Sequence, residues 1–421
     1  MHILYNILIS LTTFFVWLSR LFSHKMRRFV EGRKTTFRTL EEGIGPDDQF
    51  LWFHCASLGE FEQGFPIMEA VRAQFPSYKI LVSFFSPSGY EIKKNTPIAD
   101  LVVYLPMDTP SNAKKFVRLV QPKLACFVKY EFWPNYLFEL KKKDLPTLLI
   151  SGTFRKDQIF FQWYGGFMRK ALASFTHLFV QNAASEALLK KSGFRNVTVS
   201  GDTRFDRVTQ QITVDNSLDF MEAFKGDALC LVCGSTWPAD EAVLIPFINS
   251  APAQIKIVVA PHKIEESKLQ HFEKQLSKTV FRYSQLGTDP ATSLKNAEVL
   301  LVDTIGLLTK IYSYADVAYV GGAMGDTGLH NILEPATFGI PILIGKNFKK
   351  FPEAERLRSL AGLYAIESAA EFNNYMNKFI SDTKFRAKTG MIAGHFIQSN
   401  TGATAITLVY MKKHLVNSEP G

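Results

Sequence analysis

Short apolar runs rich in β-branched and aromatic residues alternate with longer amphipathic segments from residue 49 onward. This pattern predicts buried parallel strands that are joined by the helices of right-handed βαβ crossovers. The strands predicted in the first half are Phe50–His54, Ile80–Phe85, Leu101–Leu105, Leu124–Val128, Thr147–Ile150, Leu178–Val180 and Val197–Val199. Those predicted in the second half are Leu229–Cys233, Ile255–Val259, Val299–Val302, Val317–Val320, Ile342–Ile344 and Leu363–Ala365. The predicted fold class is therefore α/β, with two Rossmann-like domains.

The alternation pauses once, at Thr209–Lys225, which is polar and has no strand-like run. We interpret this segment as a linker between two domains whose strand ends face each other across a cleft. The chain ends in three segments of helical pattern, Ala369–Ile380, Phe385–Phe396 and Ala403–Leu415. The predicted organisation is an apolar segment at 1–24, a first domain at 25–208, the linker at 209–225, a second domain at 226–400, and a C-terminal helix at 401–421 that packs back toward the first domain.

The N-terminal segment Ile3–Leu18 is mostly apolar. As a helix, roughly 17–20 residues would reach about 26–30 Å, the thickness of one hydrocarbon core. A basic stretch follows instead of a small-residue cleavage site, so a cleaved signal peptide is disfavoured. The positive-inside rule then places the rest of the chain in the cytoplasm. We predict a single membrane anchor at residues 1–24, and the alternative is a helix that lies in the membrane interface, which the polar residues in the run permit.

The formal net charge of +9 is concentrated in one stretch. Residues 20–38 hold seven basic side chains and one acidic side chain. Beside an apolar helix, such a cluster predicts contact with anionic lipid, at about 1 kcal/mol for each basic residue near the surface. The rest of the chain is nearly balanced in charge and has no nucleic-acid-binding motif. We therefore predict an anionic lipid surface as a partner, and no nucleic acid.

Four cysteines lie in strand-like apolar runs: Cys55, Cys126, Cys230 and Cys233. The last two have the spacing of a metal-binding pair, but no second pair of Cys or His accompanies them. Within one strand they would also point to opposite faces of the sheet. The prediction is buried, reduced thiols in a cytosolic domain and no metal site.

Polar residues directly after each strand are the candidates for chemistry, because parallel sheets bind ligands beyond the carboxyl ends of their strands. The sequence contains neither GxxxxGK[ST] nor GxGxxG, which disfavours an ATPase or a standard dehydrogenase. After the first strand, Ser57 and Glu60 have the spacing of a helix capping box, in which Glu60 would satisfy a backbone donor. The alternative is that Glu60 acts as a general base for an attacking hydroxyl.

Three more charged residues follow strands of the first half. Glu131 lies between aromatic residues just before Pro134, which suits the first position of a helix, so Glu131 either caps that helix or places a charge at a substrate. Arg155 and Arg204 follow two later strands, where arginine suits a carboxylate or a phosphate. The alternative for both arginines is a surface or interdomain salt bridge.

Polar loops also follow four strands of the second half, at Gly234–Glu241, Pro261–Lys263, Asp303–Gly306 and Gly321–Asn331. Backbone N–H groups at helix starts are ready phosphate sites, and glycine permits close approach of the backbone. Glu334, one turn into the last of these helices, suits a ribose diol. Together these loops predict a nucleotide pocket, whereas a glycine-rich loop alone would be an ordinary turn.

Six motifs occur in one order and at one spacing: His54–Glu60, Glu131–Asn135, Gly201–Asp206, Gly234–Glu241, Asp303–Gly306 and Gly321–Pro335. Together they resemble the 3-deoxy-manno-octulosonate (Kdo) transferases that modify lipid A precursor, over essentially the whole chain. The resemblance implies a GT-B fold with an N-terminal acceptor domain and a C-terminal CMP-sugar domain. It also implies an inverting transfer from CMP-Kdo to lipid IVA in lipopolysaccharide biosynthesis, at the cytoplasmic face of the inner membrane, with neither metal nor cofactor.

The resemblance further implies roles for individual residues. Glu60 is the expected general base, and Glu131 and Arg204 are expected to stabilise the transition state. The expected contacts to CMP-Kdo combine residues that the resemblance implies with residues that follow the predicted strands. They are Ser57, Gly59, Arg155, Ser235, Thr236, Pro261, His262, Lys263, Ile305, Gly306, Leu307, Gly322, Asn331, Ile332, Leu333 and Glu334. The chain departs from the family pattern at His262-Lys263, Leu329 and Lys346.

Three alternatives stay open at this point. The first is a GT-B transferase that uses a UDP-sugar on another membrane lipid. The second is a sugar-nucleotide epimerase, which shares the two-domain plan, although an anchor does not suit its soluble chemistry. The third is a membrane-tethered nucleotide-binding module without catalysis, which would not need Glu60 or Glu131.

Overall fold

Two fully parallel sheets organise the chain in the computed structural model, which describes residues 1–287 and 294–415. The strands of the first sheet are β1 (Phe50–Cys55), β2 (Lys79–Phe84), β3 (Leu101–Tyr104), β4 (Leu124–Val128), β5 (Thr147–Gly152), β6 (His177–Val180) and β7 (Val197–Val199). Those of the second are β8 (Leu229–Thr236), β9 (Ile255–Pro261), β10 (Val280–Arg282), β11 (Val299–Leu301), β12 (Val317–Val320), β13 (Ile342–Gly345) and β14 (Leu363–Ile366). The predicted α/β class with two Rossmann-like domains is confirmed, and β10 is the one strand here that the sequence pattern missed.

Helices follow most of the strands. Their bounds are α1 (His2–Ser19), α2 (His24–Lys34), α3 (Thr36–Gly43), α4 (Leu58–Gln74), α5 (Pro87–Lys93), α6 (Pro110–Val120), α7 (Pro134–Lys142), α8 (Gly166–Leu172), α9 (Ala183–Lys191), α10 (Thr203–Thr213), α11 (Asp219–Lys225), α12 (Pro238–Ser250), α13 (Glu266–Glu273), α14 (Leu308–Ile311), α15 (Leu333–Thr337), α16 (Pro352–Ser359), α17 (Ala369–Ser381), α18 (Thr383–Gln398) and α19 (Ala403–Leu415). Short 3-10 turns occur at Ile159–Phe161, Tyr283–Gln285 and Tyr312–Tyr314.

In each sheet strands are added first on one side of the starting strand, β1 or β8, and then on its other side, so the order reverses at that strand. The order is β3-β2-β1-β4-β5-β6-β7 in the first sheet and β10-β11-β9-β8-β12-β13-β14 in the second. Loops diverge where the order reverses, between β1 and β4 and between β8 and β12, and this is where sheets of this type bind ligands. The chemistry is therefore expected beyond the carboxyl ends of these four strands.

The chain divides into two compact units, which we call the first unit (residues 1–207 and 401–415) and the second unit (residues 208–400). The C-terminal helix α19 belongs to the first unit, where Leu408 and Met411 join the apolar core on one face of the sheet. Asp206 accepts hydrogen bonds of 2.6 Å from the backbone N–H groups of Gly402 and Thr404, at the start of this helix. The carboxylate thus satisfies donors that the first turn of α19 leaves open.

Residues 209–225, which we predicted to be a linker without a strand, are largely helical. They comprise the end of α10 and all of α11. Phe220, Met221 and Phe224 are buried in the apolar core of the second unit together with Val232. The segment is therefore packed as part of the second unit, because its apolar residues recur at helical spacing among the polar ones.

All four cysteines are buried and free of disulfides. Cys230 packs in the core on one face of the second sheet, and Cys233 packs in the core on the other face. Burial raises the pKa of each thiol, so the neutral form is favoured. The prediction of buried, reduced thiols on opposite faces of the sheet is confirmed.

Helix α1 differs from the other helices because none of its residues is fully buried. Within residues 1–287 and 294–415, it is the one helix that is long and apolar enough to cross a membrane, as judged by length and composition alone. An apolar helix of this length suits a spanning and an interfacial placement alike.

Candidate active site

The carboxyl ends of β1 and β4 are joined by a chain of hydrogen bonds. His54, near the end of β1, is fully buried, and its Nδ1 lies 2.9 Å from Ser83 Oγ. Its Nε2 lies 3.1 Å from Glu131 Oε2, beyond the end of β4. Trp52 Nε1 donates to Ser83 Oγ at 2.8 Å, and Trp133 Nε1 donates to Glu131 Oε2 at 2.7 Å.

A carboxylate oxygen can only accept, so the His54 Nε2–H group donates to Glu131, and the Ser83 hydroxyl, which accepts from Trp52, faces Nδ1. The ring also lies 3.1 Å from the Ser83 carbonyl oxygen through Nδ1 and 3.0 Å from Trp133 Nε1 through Nε2. The side chain of Glu131 is only 12% exposed, so two N–H donors hold a nearly buried anion. A satisfied network of this kind fixes the position of the carboxylate.

Glu60 lies in the first turn of α4, directly after β1. The Ser57 hydroxyl donates to the Glu60 carboxylate. Within the described part of the chain, the Ser57 side chain makes no capping bond to a backbone N–H group, so the predicted capping box is wrong. The Ser57 hydroxyl instead donates to the carboxylate, a charge-assisted hydrogen bond that orients Glu60.

The buried thiol of Cys55, at the end of β1, lies near both carboxylates. Burial raises the pKa of Cys55, and the negative charges of Glu60 and Glu131 raise it further. Coulombic interactions weaken with distance, so both carboxylates lie near the end of β1. The first unit thus brings together two of the three residues predicted to be catalytic.

Arg204, the third of these residues, lies in the first turn of α10. Its guanidinium bonds Asp202 at 2.8 and 2.9 Å, and its backbone N–H donates to the same carboxylate. The neighbouring Thr203 hydroxyl donates to the backbone carbonyl of Gln63 on α4 at 2.5 Å. The start of α10 is therefore fastened to the helix that carries Glu60.

Arg155 and Lys129 both lie beside Tyr130, which follows β4. Arg155 donates to the Tyr130 hydroxyl at 3.3 Å, and the Arg155 and Lys129 cations lie 5.7 and 5.4 Å from the centre of its ring. Lys129 has φ +66° and Ser151, near the end of β5, has φ +53°. Non-glycine residues in this left-handed region store strain, which tends to concentrate at functional sites.

Asp240 organises the corresponding edge of the second unit. It is fully buried on α12, and its carboxylate accepts from the Tyr319 hydroxyl at 2.7 Å and from the backbone N–H groups of Trp237 at 2.9 Å and Gly322 at 2.8 Å. A longer bond of 3.4 Å comes from the Met324 N–H group. Asp240 therefore ties the start of α12 to the glycine-rich loop that follows β12.

An aromatic stack extends from that loop. The Trp237 ring is stacked on His262 with centroids 4.7 Å apart, and His262 lies 4.3 Å from His330. Trp237 Nε1 also donates to His330 Nε2 at 3.0 Å, and the Lys263 ammonium lies 5.3 Å from the Trp237 ring. Burial, reinforced by His262, lowers the pKa of His330 to about 4. Burial and the Lys263 charge also lower the pKa of His262, so both rings are neutral at pH 7.

Lowering the pH from 7 to 5 is expected to destabilise wild type more than His330→Gln. The folded pKa of His330 is lowered to about 4, whereas an unfolded histidine takes up a proton near pH 6.5. The stability that this group contributes is therefore present above about pH 6.5 and is lost as the pH falls toward 4. The substituted amide can still accept from Trp237. Calorimetric unfolding of both proteins across this range checks the expectation, and parallel pH profiles would contradict it.

Residues after β11 meet residues of the loop before α15. Glu334 accepts from the Thr309 hydroxyl at 3.3 Å and from the Asn331 amide at 3.0 Å. Gly306, which precedes Thr309, has φ +97°, and the neighbouring Ile305 side chain is 89% exposed. The predicted segments Ile305–Leu307 and Asn331–Glu334 are thus neighbours. The side chains of Ile332 and Leu333 are buried in the core, so only their backbone groups could meet a ligand, and the Leu333 N–H already donates to Asn331.

The remaining predicted contacts surround the ends of β8, β9 and β12. Ser235 adopts φ +54°. Thr236 pairs with Pro261 across the sheet. The backbone N–H group of His262 donates to the Thr236 carbonyl at 2.9 Å. Gly322 has φ +95°, and a Cβ there would overlap a backbone oxygen, so only glycine fits. All the donor contacts predicted in the second half therefore lie along four neighbouring strands.

Several side chains in these networks were not among the predicted site residues: Asp240, Trp237, His330, Ser83 and Trp133. Asp240 carries a signal that the sequence does contain, because an acid three residues after a helix start is typical of a capping box. The contacts of Ser83 and His330 cross the sheet and leave no local pattern. Among the described residues, no group of His, Cys, Asp or Glu has the arrangement of a metal site.

Comparison with known proteins finds similar sequences along most of the chain. Residues 25–207 match the family model described as 3-deoxy-D-manno-octulosonic-acid transferase (kdotransferase). The chain is 28% identical over 350 residues to a 3-deoxy-D-manno-octulosonic acid transferase of Chlamydophila psittaci, an alignment that covers 79% of each chain. It is 25% identical over 387 residues to a protein of the same name in Haemophilus influenzae, which covers 88% of each chain.

The fold also matches solved structures. The UDP-GlcNAc 2-epimerase of Neisseria meningitidis, bound to UDP-GlcNAc, superposes with a TM-score of 0.61 at 12% identity and covers 87% of this chain and 100% of the epimerase. At this identity the likeness shows the GT-B type of fold alone. The family model matches residues 25–207 of the first unit, and the relatives align with most of the chain. The chain is a glycosyltransferase that is similar to the 3-deoxy-D-manno-octulosonic acid (Kdo) transferases.

Proposed function

We propose that this protein transfers Kdo from CMP-Kdo to lipid IVA, the lipid A precursor, with inversion at the anomeric carbon and with Glu60 as the general base. The observation that carries the proposal is the Glu60 carboxylate in the first turn of α4, which Ser57 holds at the same edge of the sheet as the nearly buried Glu131. The names of the relatives support Kdo as the sugar that is transferred.

In the proposed reaction, Glu60 takes the proton from an acceptor hydroxyl while that oxygen attacks the anomeric carbon of Kdo. The bond from this carbon to the CMP phosphate breaks, and CMP leaves with the electron pair of that bond. Positive charge develops on the sugar and negative charge on the departing phosphate. We assign stabilisation of the positive charge on the sugar to Glu131, and stabilisation of the negative charge on the phosphate to Arg204.

The second unit supports a single-phosphate nucleotide as the donor. Lys263 and the N–H groups of the glycine-rich loop suit a phosphate, and the flat faces of the Trp237–His262 stack suit a base or a sugar ring. Glu334 and Asn331 offer a carboxylate and an amide for the ribose hydroxyls. One phosphate does not require a Mg²⁺ clamp, so the proposed reaction uses neither metal nor cofactor.

Location at the cytoplasmic face of the inner membrane is part of the proposal. The apolar α1 and the basic residues 20–38 support a bilayer with anionic headgroups as the partner surface. The acceptor is a phosphorylated glycolipid that stays in that bilayer, so an enzyme held at the surface meets its acceptor by lateral diffusion.

Incubation with radiolabelled CMP-Kdo and lipid IVA is expected to yield labelled lipid and an equal amount of free CMP, with and without EDTA. The matched reaction contains UDP-GlcNAc as the donor and is expected to yield neither labelled lipid nor epimerised nucleotide sugar. Transfer from the UDP-sugar but not from CMP-Kdo would replace the proposed donor. Epimerisation of UDP-GlcNAc without a lipid acceptor would instead assign the chain an epimerase activity.

A further inference from the structure

Helix α1 has two different faces. Nine of its large apolar side chains are exposed, among them Ile3, Leu8 and Phe15. The half-buried positions include Tyr5, Ile9, Thr13 and Val16. Their spacing of four, four and three residues places them on one face of the helix. One face of α1 is therefore shielded along its length, whereas a helix that crosses a bilayer away from its own protein would show no such stripe.

The N-terminal end of α1 is hydrogen-bonded to the first unit. The Tyr5 hydroxyl donates to Asp108 at 2.6 Å, and His2 Nε2 lies 2.8 Å from the Asn135 side-chain oxygen. The Asn135 amide donates to Asn6 at 2.9 Å, while its backbone N–H donates to Asp108 at 3.1 Å. We call these five residues the N-terminal latch. They form a connected polar network, which is a specific attachment and not a surface contact.

The receiving side of the N-terminal latch is built into the unit. Asp108 and Asn135 are both buried. Burial raises the pKa of Asp108 to about 6, and the hydrogen bonds from Tyr5, Asn135 and Tyr136 oppose that shift. The His2 ring also lies 5.3 Å from Phe138 and 5.6 Å from Phe167. Removal of α1 would leave these buried polar groups without the partners that α1 supplies.

The other end of α1 returns to the same unit through α2. Arg33 on α2 donates to the backbone carbonyls of Leu105 at 2.9 Å and Phe85 at 2.5 Å, beyond the ends of β3 and β2. Its guanidinium also lies 3.5 Å from the centre of the Phe29 ring, and Phe29 is itself buried. Both ends of the α1–α2 segment are therefore fastened to the first unit.

A spanning helix cannot meet these contacts. The 18 residues of α1 reach about 27 Å, so a spanning α1 would carry His2 and Tyr5 to the far side of the hydrocarbon core. Asp108 and Asn135 would have to follow, which would draw polar loops of the first unit into the bilayer. We propose that α1 lies within one leaflet of an anionic bilayer, fastened at both ends to the first unit, and does not span the membrane.

The charged residues beside α1 suit contact with an anionic bilayer. Lys25, Arg27 and Arg28 are exposed at the start of α2, and the Arg20 guanidinium lies 4.4 Å from the centre of the Trp17 ring. An interfacial helix combines an apolar face with basic and aromatic residues at headgroup depth. Ser10 and Thr13 donate to the backbone carbonyls one turn before them, so their hydroxyls need no water.

The position of the N-terminal latch has a consequence for the acceptor, and this step rests on the proposed function. Asp108 follows β3 and Asn135 follows β4, two residues after Trp133, which holds Glu131. The end of α1 is thus attached at the sheet edge that carries the catalytic carboxylates. A bilayer that holds α1 lies beside this edge, so a lipid acceptor can reach Glu60 without leaving its leaflet.

Maleimide labelling in membranes tests the placement of α1. A cysteine is added before Met1 in the full chain, and Lys191→Cys on the exposed surface of α9 serves as the control for the side on which the first unit lies. The four native cysteines are buried. We expect an impermeant maleimide to label both introduced thiols in inverted inner-membrane vesicles and neither in spheroplasts. Labelling of the N-terminal thiol only in spheroplasts would overturn the proposal. This readout does not depend on transfer activity.

The N-terminal latch is tested with Tyr5→Phe, which removes one hydroxyl that bonds a carboxylate, and Tyr164→Phe at an exposed position is the matched control. For Tyr5→Phe we expect transfer to an acceptor in vesicles that contain phosphatidylglycerol to fall by about five- to tenfold. Transfer to the same acceptor in detergent micelles should stay within about twofold of wild type, because no bilayer orientation is needed there. Equal losses in both assays, or no loss in either, would overturn the role of the latch. Absence of transfer by wild type would instead remove the proposed function.

Discussion

Replacement of Glu60 by glutamine is expected to lower kcat for Kdo transfer by about 10²–10⁴-fold, the contribution of a positioned general base. The amide has the shape of the carboxylate and can still accept the hydrogen bond from Ser57, so α4 should fold unchanged. What it loses is the capacity to take the proton from the acceptor hydroxyl. KM for both substrates should therefore change little, and steady-state kinetics that separate kcat from KM check the expectation.

Glu186→Gln is the matched control for this experiment. Glu186 also lies in the first turn of a helix of the first unit, where it pairs with Lys190 at 2.8 Å on the surface. A partly exposed pair between residues one helical turn apart contributes little to stability, so this variant should transfer Kdo at the wild-type rate. A Glu60→Gln enzyme that matches Glu186→Gln in kcat would show that Glu60 is not the base. Glu131 would then be the carboxylate to examine.

Much of the fold could be read from the sequence because parallel strands are buried on both faces and form continuous apolar runs. Runs such as Leu124–Val128 and Val317–Val320 coincide with the observed strands. The sequence pattern did not predict the strand Val280–Arg282, because it is a short edge strand that ends in a charged residue. Arg282 is buried there only because Glu266 and Glu273 pair with it, and such pairing leaves no periodic pattern.

The location of the candidate site was predictable for a related reason. Polar residues that directly follow apolar runs lie at one edge of a parallel sheet, which places Glu60 and Glu131 at neighbouring strand ends. What each residue bonds was not predictable. Ser57 turned to the Glu60 carboxylate instead of the helix backbone, and the Ser83–His54–Glu131 chain joins three separate strands. Contacts between distant segments depend on sheet order and register, which the local pattern does not contain.

Asp240→Asn is expected to destabilise the second unit by about 3 kcal/mol or more, because the amide cannot accept all the bonds that the buried carboxylate accepts. The side-chain NH₂ group would face a backbone N–H group or the Tyr319 hydroxyl, each of which now donates to a carboxylate oxygen. A buried donor without an acceptor costs about 1–3 kcal/mol. Release of the Gly322 N–H group should also loosen the glycine-rich loop, so the Asp240→Asn variant should bind CMP more weakly than wild type does.

Two variants separate this effect from a general loss of charge. Asp382→Asn removes a carboxylate that caps α18 in the same unit, and asparagine caps a helix equally well, so its unfolding should match wild type. Tyr319→Phe removes one donor and leaves the carboxylate with its backbone bonds, so its cost should be closer to 1 kcal/mol, about the net value of a single hydrogen bond. Calorimetric unfolding and titration with CMP measure both effects. If Asp240→Asn unfolds and binds CMP as Asp382→Asn does, the carboxylate does not hold the loop, and the close approach of Gly345 to the backbone of Met324 must hold it instead.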